Sequence, residues 1–318
     1  MRQMEPYDVI CVGFSTLDIT LTGIPSNVFE LEMDTVRASS SGWTVGGDGA
    51  NQAAALGALG NKTAFVSKIA SDQVGKILLD MLNQRKIDLQ YMVIAGGIES
   101  SFVVVCVRSD GHRNFLFWPG DKDNALKFEE IDLSILDKTR AISIGSLFCM
   151  PGMDQGGTGE LCRLAKEKGV LTFVDMATDS LGIGPKAAES VYPYIDYLIP
   201  SIEEATYVTG HTQPERIADD LLAKGVGTVV IKLGKDGCYV QNRADAFYVP
   251  SFPVDVVDTT GCGDNFTAGF ITGVLQGRSL FECARLGNAA GALNATQVGS
   301  HGAVQNMTQL EDFMHQGI

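Results

Sequence analysis

The sequence predicts an α/β protein with a mostly parallel central sheet, covered by helices on both faces, and a small separate β-sheet. Three observations carry that prediction. From residue 141 onward, short apolar runs alternate with helical stretches, the pattern of parallel strands joined by crossover helices. Near the start, Val9-Ile-Cys-Val-Gly13 is a continuous apolar run ending in glycine, as in a strand buried on both faces. Two β-rich segments, Leu31 to Val45 and Ser101 to Trp118, break the alternation.

Size and charge narrow the class. A chain of 318 residues holds one large domain or two small ones. No linker, repeat or low-complexity tract divides it, so a single domain over 1–318 is expected, with β segments at about 14–45 and 98–120 inserted in the α/β core. The net charge of −14 and the lack of a basic run argue against nucleic acid and anionic membrane as partners. Local donors still allow a phosphate ligand. Seven scattered cysteines without a Cys-x-x-Cys pair fit a reduced protein with neither a disulfide framework nor a zinc site. The N-terminus lacks the apolar core of a signal peptide, and no apolar run reaches the roughly 18 residues of a membrane span. A soluble, cytoplasmic protein is expected.

Taken in order, the first strand is followed by Asp18, in Phe14-Ser-Thr-Leu-Asp-Ile19. Open α/β sheets place ligand contacts beyond the C-terminal ends of central strands, although on position alone Asp18 is equally a surface turn residue. Gly46-Gly47-Asp48-Gly49-Ala50-Asn51-Gln52 then leads into an alanine-rich run to Gly60, which reads as a tightly packed helix behind a loop that a ligand can approach. Its spacing is neither a dinucleotide fingerprint nor a Gly-x-x-x-x-Gly-Lys-Ser/Thr loop. Ser101 to Arg108 and Arg113 to Trp118 form a hairpin around Asp110-Gly111, with His112 as a solvated loop histidine. Strands are then expected at Ala141–Gly145, Val170–Asp175, Tyr197–Pro200 and Thr228–Leu233. Helices are expected around Glu160 to Lys168, Glu203 to Thr209 and Pro214 to Lys224. Ile231 to Gly237, followed by Cys-Tyr-Val-Gln, is a strand, a glycine-bracketed turn and a second strand.

The most informative stretch is Asp258-Thr-Thr-Gly-Cys-Gly-Asp264. Behind it, Phe266, Gly269, Phe270, Gly273 and Val274 recur at the spacing of one helix face, and Gly269 and Gly273 let that helix lie close to a neighbour. The amides of Gly261, Cys262 and Gly263 then converge at a helix N-terminus, where unpaired donors and the dipole favour an anion. Asp264 stands at that mouth, placed to act as general base for a hydroxyl attacking a phosphoryl group. Taken as a bare Gly-x-Gly-Asp it is equally a helix N-cap. A thiol at such a helix end is expected to ionise easily and to be oxidisable, although the plainer reading of Cys262 is a small residue filling the turn.

These stretches resemble the signatures of the ribokinase-like carbohydrate kinases, the PfkB family. Asp258 to Asp264 is similar to that family's Asp-Thr-x-Gly-Ala-Gly-Asp, with Cys262 at the usual Ala. Gly46 to Gln52 is similar to the Gly-Gly-Lys-Gly-Ala-Asn-Gln of ribokinases, with Asp48 at the Lys. The resemblance covers nearly the whole chain. It implies a three-layer ribokinase-like fold whose small β-sheet is a lid that closes over a sugar, and transfer of the γ-phosphoryl of ATP to a sugar hydroxyl with Mg2+.

Carried onto this chain, the resemblance makes Asp264 the base and Gly261, Cys262 and Gly263 the anion hole. Asp18, Gly47, Asp48 and Asn51 hold the substrate, with Arg113 as a further substrate or phosphate contact. Lys232, Gly234, Gly237 and Asn288 line the nucleotide. Pro200-Ser-Ile-Glu-Glu204 is similar to the family's Asn-x-x-Glu element, which assigns Glu204 to magnesium and leaves Ser201 where the Asn is expected. Asp258 and Thr260, with Asn294, Gln297 and Gly299, match by position a segment that holds a monovalent cation, K+ or Na+, in many members.

Asp48 in place of Lys favours a neutral polyol over a phosphorylated or acidic sugar, unless Arg37, Arg108 or Arg113 compensates. Two alternatives stand beside a kinase for a neutral sugar or sugar alcohol: a nucleoside kinase of the same fold, and a non-catalytic sugar-binding regulator. The resemblance also allows a homodimer paired through the lid, which would cover an open sheet edge.

Overall fold

All four residues of the first strand, β1 (Val9–Val12), are apolar and all four are buried. Such a strand has to lie inside a sheet covered on both sides. A computed structural model describes residues 7–30, 34–110, 112–121 and 124–316. In chain order β1 is followed by β2 (Thr16–Ile24), β3 (Ser40–Gly46), α1 (Asp48–Ala58), β4 (Thr63–Val66), β5 (Lys68–Ala70) and α2 (Gln73–Asn83). Next come β6 (Ile87–Asp88), β7 (Val93–Ala95), β8 (Phe102–Arg108), β9 (Arg113–Trp118), β10 (Ala141–Leu147), α3 (Pro151–Asp154) and α4 (Gly157–Glu167). The C-terminal half continues with β11 (Leu171–Met176), β12 (Tyr197–Leu198), α5 (Ile202–Thr209), α6 (Pro214–Ala223), β13 (Thr228–Lys232), β14 (Cys238–Gln241) and β15 (Ala246–Val249). It ends with α7 (Cys262–Leu275), α8 (Leu280–Ala295) and α9 (Met307–Gln316).

The central sheet has nine strands in the order β15-β14-β13-β12-β11-β10-β1-β4-β6. It is parallel from β6 to β13 and antiparallel at the β14–β15 edge. Alternation along β1 feeds two cores. Ile10 and Val12 pack in the layer of Leu161 and Ile217, whereas Val9 and Cys11 pack in the layer of Ala53, Leu78 and Phe270. The expected strands and helices of residues 141–233 all appear, their ends displaced by a few residues at most.

Glycine decides two close approaches. A Cβ on Gly49 would stand 2.5 Å from the Cα of Gly13, and one on Gly145 would stand 2.9 Å from the Cα of Gly49. The first turn of α1 therefore rides directly on β1 and β10. Gly49→Ala puts a methyl into backbone that has no room to move, so a loss of about 3 kcal/mol in urea unfolding is expected. On α7, added methyls at Gly269 and Gly273 would meet the Leu286 carbonyl at 2.6 Å and the Cys283 Cα at 2.9 Å, so α7 and α8 are in backbone contact.

The small sheet has the order β3-β2-β8-β9. The hairpin β8–β9 forms as expected, with Gly111 of its turn outside the described residues. Of the expected strand from Leu31, residues 31–33 also lie outside them, and pairing begins only at Ser40. Asp18 is corrected: it belongs neither to a turn nor to the end of β1, but to the middle of β2. The register aligns Asp18 with Thr44 on one side and Val103 on the other, and Val103 in turn with Phe117. The stretch was hard to read because Asp and Gly dilute its β-propensity. Its partner β8 lies about eighty residues away and pairs in parallel.

Candidate active site

The site is built where α7 begins. Gly261 caps that helix with φ 71°, and a Cβ there would meet the Ser300 carbonyl at 2.4 Å, so no larger residue fits the turn. The Cys262 amide donates to the Thr259 carbonyl at 3.2 Å. Gly261 and Gly263 flank it with less encumbered backbone. The Cys262 thiol departs from its sequence-based expectation, since burial pushes it up rather than down, with the Asn294 amide opposing. A reactive thiolate is therefore not favoured.

Asp264, in the first turn of α7, is 7% exposed. It accepts a hydrogen bond from Asn51 Nδ2 at 2.9 Å and a longer one from Gln52 Nε2 at 3.5 Å. Burial, and next the charge of Asp175, raise its carboxyl to about 7, against the pull of Asn51, Lys232 and Gln52. Asp175, at the C-terminal end of β11, was missed by sequence reasoning. It binds Lys232 Nζ through both oxygens, at 2.7 and 2.8 Å, and accepts from Thr267 Oγ1 at 2.8 Å and Gln52 Nε2 at 3.1 Å. Gln52 is fixed in turn by Ser143 Oγ at 2.9 Å. One signal in the sequence pointed there: a carboxylate closing a buried strand, the same signal used for Asp18.

Lys232 thus stands between two roles. Its ammonium is buried against Asp175, yet a Cβ on Gly263 would lie only 3.3 Å from Nζ, which brings the charge to the α7 mouth. Burial disfavours that charge, but Asp175 and Glu204 hold it above the ordinary lysine range. Asp48, in the first turn of α1, and Glu204, in the first turn of α5, complete the cluster. Burial pushes both carboxyls up, as it does that of Asp175, with Lys232 pulling each back. Ser201 and Glu204 form a reciprocal capping box, in which Ser201 N donates to Glu204 Oε2 at 2.7 Å and Glu204 N to Ser201 Oγ at 3.2 Å.

A divalent cation close to these four carboxylates would favour their ionised forms. Among the described residues no cluster forms a ready-made metal cage. Mg2+ requires no such cage, because it binds through one or two carboxylates plus phosphate oxygens.

Two cavities open beside this centre. One of about 340 Å³ is lined by Gly13, Phe14, Lys68, Phe117, Leu126 and Met150, with Phe14 and Phe117 in edge-to-face contact. Lys68 is paired with Glu130 at 2.6 Å. The second, of about 420 Å³, is lined by Lys232, Gly234, Gly237, Phe252, Gly263 and Asn288, so it gathers all four residues expected to face the nucleotide. Asn288 also donates to the Val249 and Pro250 carbonyls, at 3.0 and 3.1 Å, and so holds the loop that forms one wall.

At the other side, Gly47 takes φ 92° and a Cβ there would strike the Phe14 carbonyl at 2.5 Å. Asn51 Oδ1 is buried without a partner, an acceptor waiting for a donor. Asp18 lies against Gly46, where a Cβ would be 2.3 Å from its Oδ2, and burial raises its carboxyl to about 7.

Arg113 is not with these residues. Its Nη1 donates to Asp258 Oδ1 at 2.7 Å and Thr260 Oγ1 at 2.9 Å. Asn294 joins the same cluster, Gly299 donates to Asp258 Oδ2 at 2.9 Å, and Gln297 is exposed.

Comparison with known proteins agrees with this fold. The profile of the pfkB family carbohydrate kinase matches residues 8–307. A fructokinase-2 of Zea mays is 28% identical over 283 residues, covering 85% of this chain and 84% of that protein. An uncharacterized sugar kinase of Archaeoglobus fulgidus is 30% identical over 238 residues, covering 74% and 92%. Among solved structures, a ribokinase from Thermotoga maritima superposes with TM-score 0.81 at 25% identity, over 97% of this chain and 99% of the other. A ribokinase of Arabidopsis thaliana complexed with ribose and ATP gives 0.82 at 24%, over 97% and 98%.

Proposed function

Because the chain belongs to the PfkB family of carbohydrate kinases, and so is an ATP-dependent phosphotransferase, we propose that it phosphorylates a hydroxyl of a small neutral sugar or sugar alcohol at Asp264. One observation carries the reading most: a buried carboxyl raised to about 7 beside the amides that open α7. A base poised near the working pH both accepts a proton and is ionised often enough to do so. Asp264 takes the proton of the attacking hydroxyl, and the amides of Gly261 and Gly263, with Lys232 beside them, stabilise charge on the transferring phosphoryl group. Asn51 orients Asp264 through its Nδ2 and offers Oδ1 to a substrate hydroxyl. Asp18 and the Gly47–Asp48 turn supply further acceptors. ATP occupies the 420 Å³ cavity, held by Gly234 and Gly237 with the wall that Asn288 fixes. Magnesium would neutralise the polyphosphate there, and Glu204 is the residue that would hold it.

Neutrality of the substrate follows from the cations. Lys68 is neutralised by Glu130, Arg113 is committed to Asp258, Arg108 is paired with Asp110, and Arg37 is exposed. None of them offsets Asp48, and Lys232, whose charge does reach it, is held by Asp175. The small sheet serves as the lid over this substrate. Trp43, Leu116 and Trp118 stand exposed on strands at its two edges, and a second copy covering them would give a dimer.

The apolar 340 Å³ cavity favours a second reading. Phe14, Phe117, Leu126 and Met150 leave room for an apolar or aromatic substituent beyond the sugar ring, as on a nucleoside. ATP-to-ADP turnover against free pentoses, hexoses, sugar alcohols, nucleosides and phosphosugars decides between them. Turnover on a neutral polyol is expected. Preference for nucleosides would assign the apolar cavity to a base, and preference for phosphosugars would overturn the charge argument.

A further inference from the structure

Residues paired directly across neighbouring strands share a face of the sheet. Arg113 of β9 pairs with Val107, which pairs with Thr22, while Phe117 reaches Asp18 through Val103. Arg113 and Asp18 therefore project from the same face of the lid, towards the core. Asp18 meets the substrate side, and Arg113 reaches the loop that opens the anion hole.

That loop is where family resemblance placed a monovalent cation, and its acceptors are already taken by N–H donors. Asp258 Oδ1 accepts from Arg113 at 2.7 Å and from Thr260 N at 2.8 Å, and Oδ2 accepts from Gly299 N at 2.9 Å. Thr260 Oγ1 accepts from Arg113 at 2.9 Å. The Thr260 and Gly299 carbonyls accept from Asn294 Nδ2 at 2.8 and 3.4 Å. Asp258 is 7% exposed at its side chain and Arg113 28%, so the pair is largely shielded from salt. With the Arg113 guanidinium in place, a free alkali cation does not fit beside Asp258.

We propose that Arg113 is a built-in replacement for the monovalent cation, and that, because it rides on the lid, it completes the anion-hole loop only when the lid is down. A soluble ion would order Asp258 and Thr260 at all times, whereas the guanidinium does so as β9 approaches. Closure over the acceptor and assembly of the phosphate site then become one event. Arg113 is a positioning residue: it acts through Asp258 and Thr260 on the Gly261–Gly263 turn.

The inference rests on the kinase reading for its activity readout, so a second readout that needs no turnover accompanies it. Turnover and thermal midpoint are measured at constant ionic strength with K+, Na+ or tetramethylammonium as the monovalent cation. The wild-type protein is expected to be indifferent to the choice in both. Arg113→Met frees Thr260 Oγ1 and one of the two hydrogen bonds on Asp258 Oδ1, and it removes the positive charge that excludes K+, with the unpartnered Asn294 Oδ1 nearby. It is expected to lose about tenfold or more in kcat in tetramethylammonium, as misplacing a preorganised donor does. K+ should restore that activity and raise its midpoint by about 2 °C or more through binding to the folded state alone. Arg113→Lys, which keeps a charge there, should stay indifferent.

Potassium activation or stabilisation of the wild-type protein overturns the proposal. So does an Arg113→Met variant that ignores K+ in both readouts. If the variant is too unstable to assay, hydrogen exchange of β8–β9 in the wild-type protein decides: protection independent of K+ supports the latch, and loss of protection on adding K+ overturns it. If no sugar is turned over at all, the midpoint and exchange readouts still stand.

Discussion

Asp264→Asn is expected to lower kcat by roughly 10²–10⁴-fold while making the protein more stable at neutral and alkaline pH. The loss follows from removing the base while keeping its shape, so KM for the sugar should change little. The gain follows from linkage. Asp264 is raised to about 7 in the folded protein, by burial first and then by Asp175, from an ordinary value near 4. Between those two pH values the folded state holds a proton that the unfolded state releases. Stability therefore falls as pH rises through that window, and the ionised carboxylate is a standing cost above about pH 7. The neutral amide removes that cost, so its advantage in thermal midpoint should be full at pH 8 and gone below about pH 4. Activity runs the other way, because kcat should fall as pH drops below about 7 and the base becomes protonated. Near-normal turnover in the variant, or a kcat flat from pH 5.5 to 8, would remove Asp264 from the role of base.

Lys232→Met is expected to cost about 3–5 kcal/mol in denaturant unfolding, because it leaves Asp175 buried without its cation. Asp175 is 3% exposed at its side chain and Lys232 13%, and the two carboxylate oxygens lie 2.7 and 2.8 Å from Nζ. The remaining partners, Gln52, Thr267 and the Met176 amide, donate to the carboxylate but carry no charge to balance it. The deficit should shrink at acid pH, where protonation removes the unpaired charge. Lys232→Met with Asp175→Asn should recover most of the stability and little of the activity, since Gly263 still lacks its ammonium neighbour. A double variant as unstable as the single one would mean that Lys232 stabilises through packing of its stem and not through the pair.

What the sequence could and could not tell follows from distance along the chain. The anion-hole turn was legible because its parts are contiguous: Gly261 has to be glycine, and Asp264 follows within one turn of helix. The Asn51 to Asp264 bond joins two separately legible stretches, and only the fold brings them within 2.9 Å. The Asp175–Lys232 pair spans 57 residues and lies on β11 and β13, with β12 between them. No local pattern marks such a pair. Arg113 was read as a substrate contact because it follows a turn in the lid, and the direction of its side chain depends on strand register, which one residue of slip would reverse. Asp18 was expected just past β1 and instead lies within β2, since its strand is completed by a parallel partner far along the chain.

The step from β3 to α1 is a single residue, Gly47. Asp18, Gly47, Asp48 and Asn51 therefore lie on one unbroken stretch from β2 to α1, while Glu204, Lys232 and Asp264 come from the C-terminal half. On the reading proposed above, the acceptor and donor halves of the reaction come from separate stretches of the chain, joined through Asn51 and Gln52. Substrate preference can then drift within residues 16–58 so long as Asn51 and Gln52 keep their bonds to Asp264 and Asp175. The boundary of such drift falls where Gly13, Gly49 and Gly145 touch, and all three glycines must be inherited together.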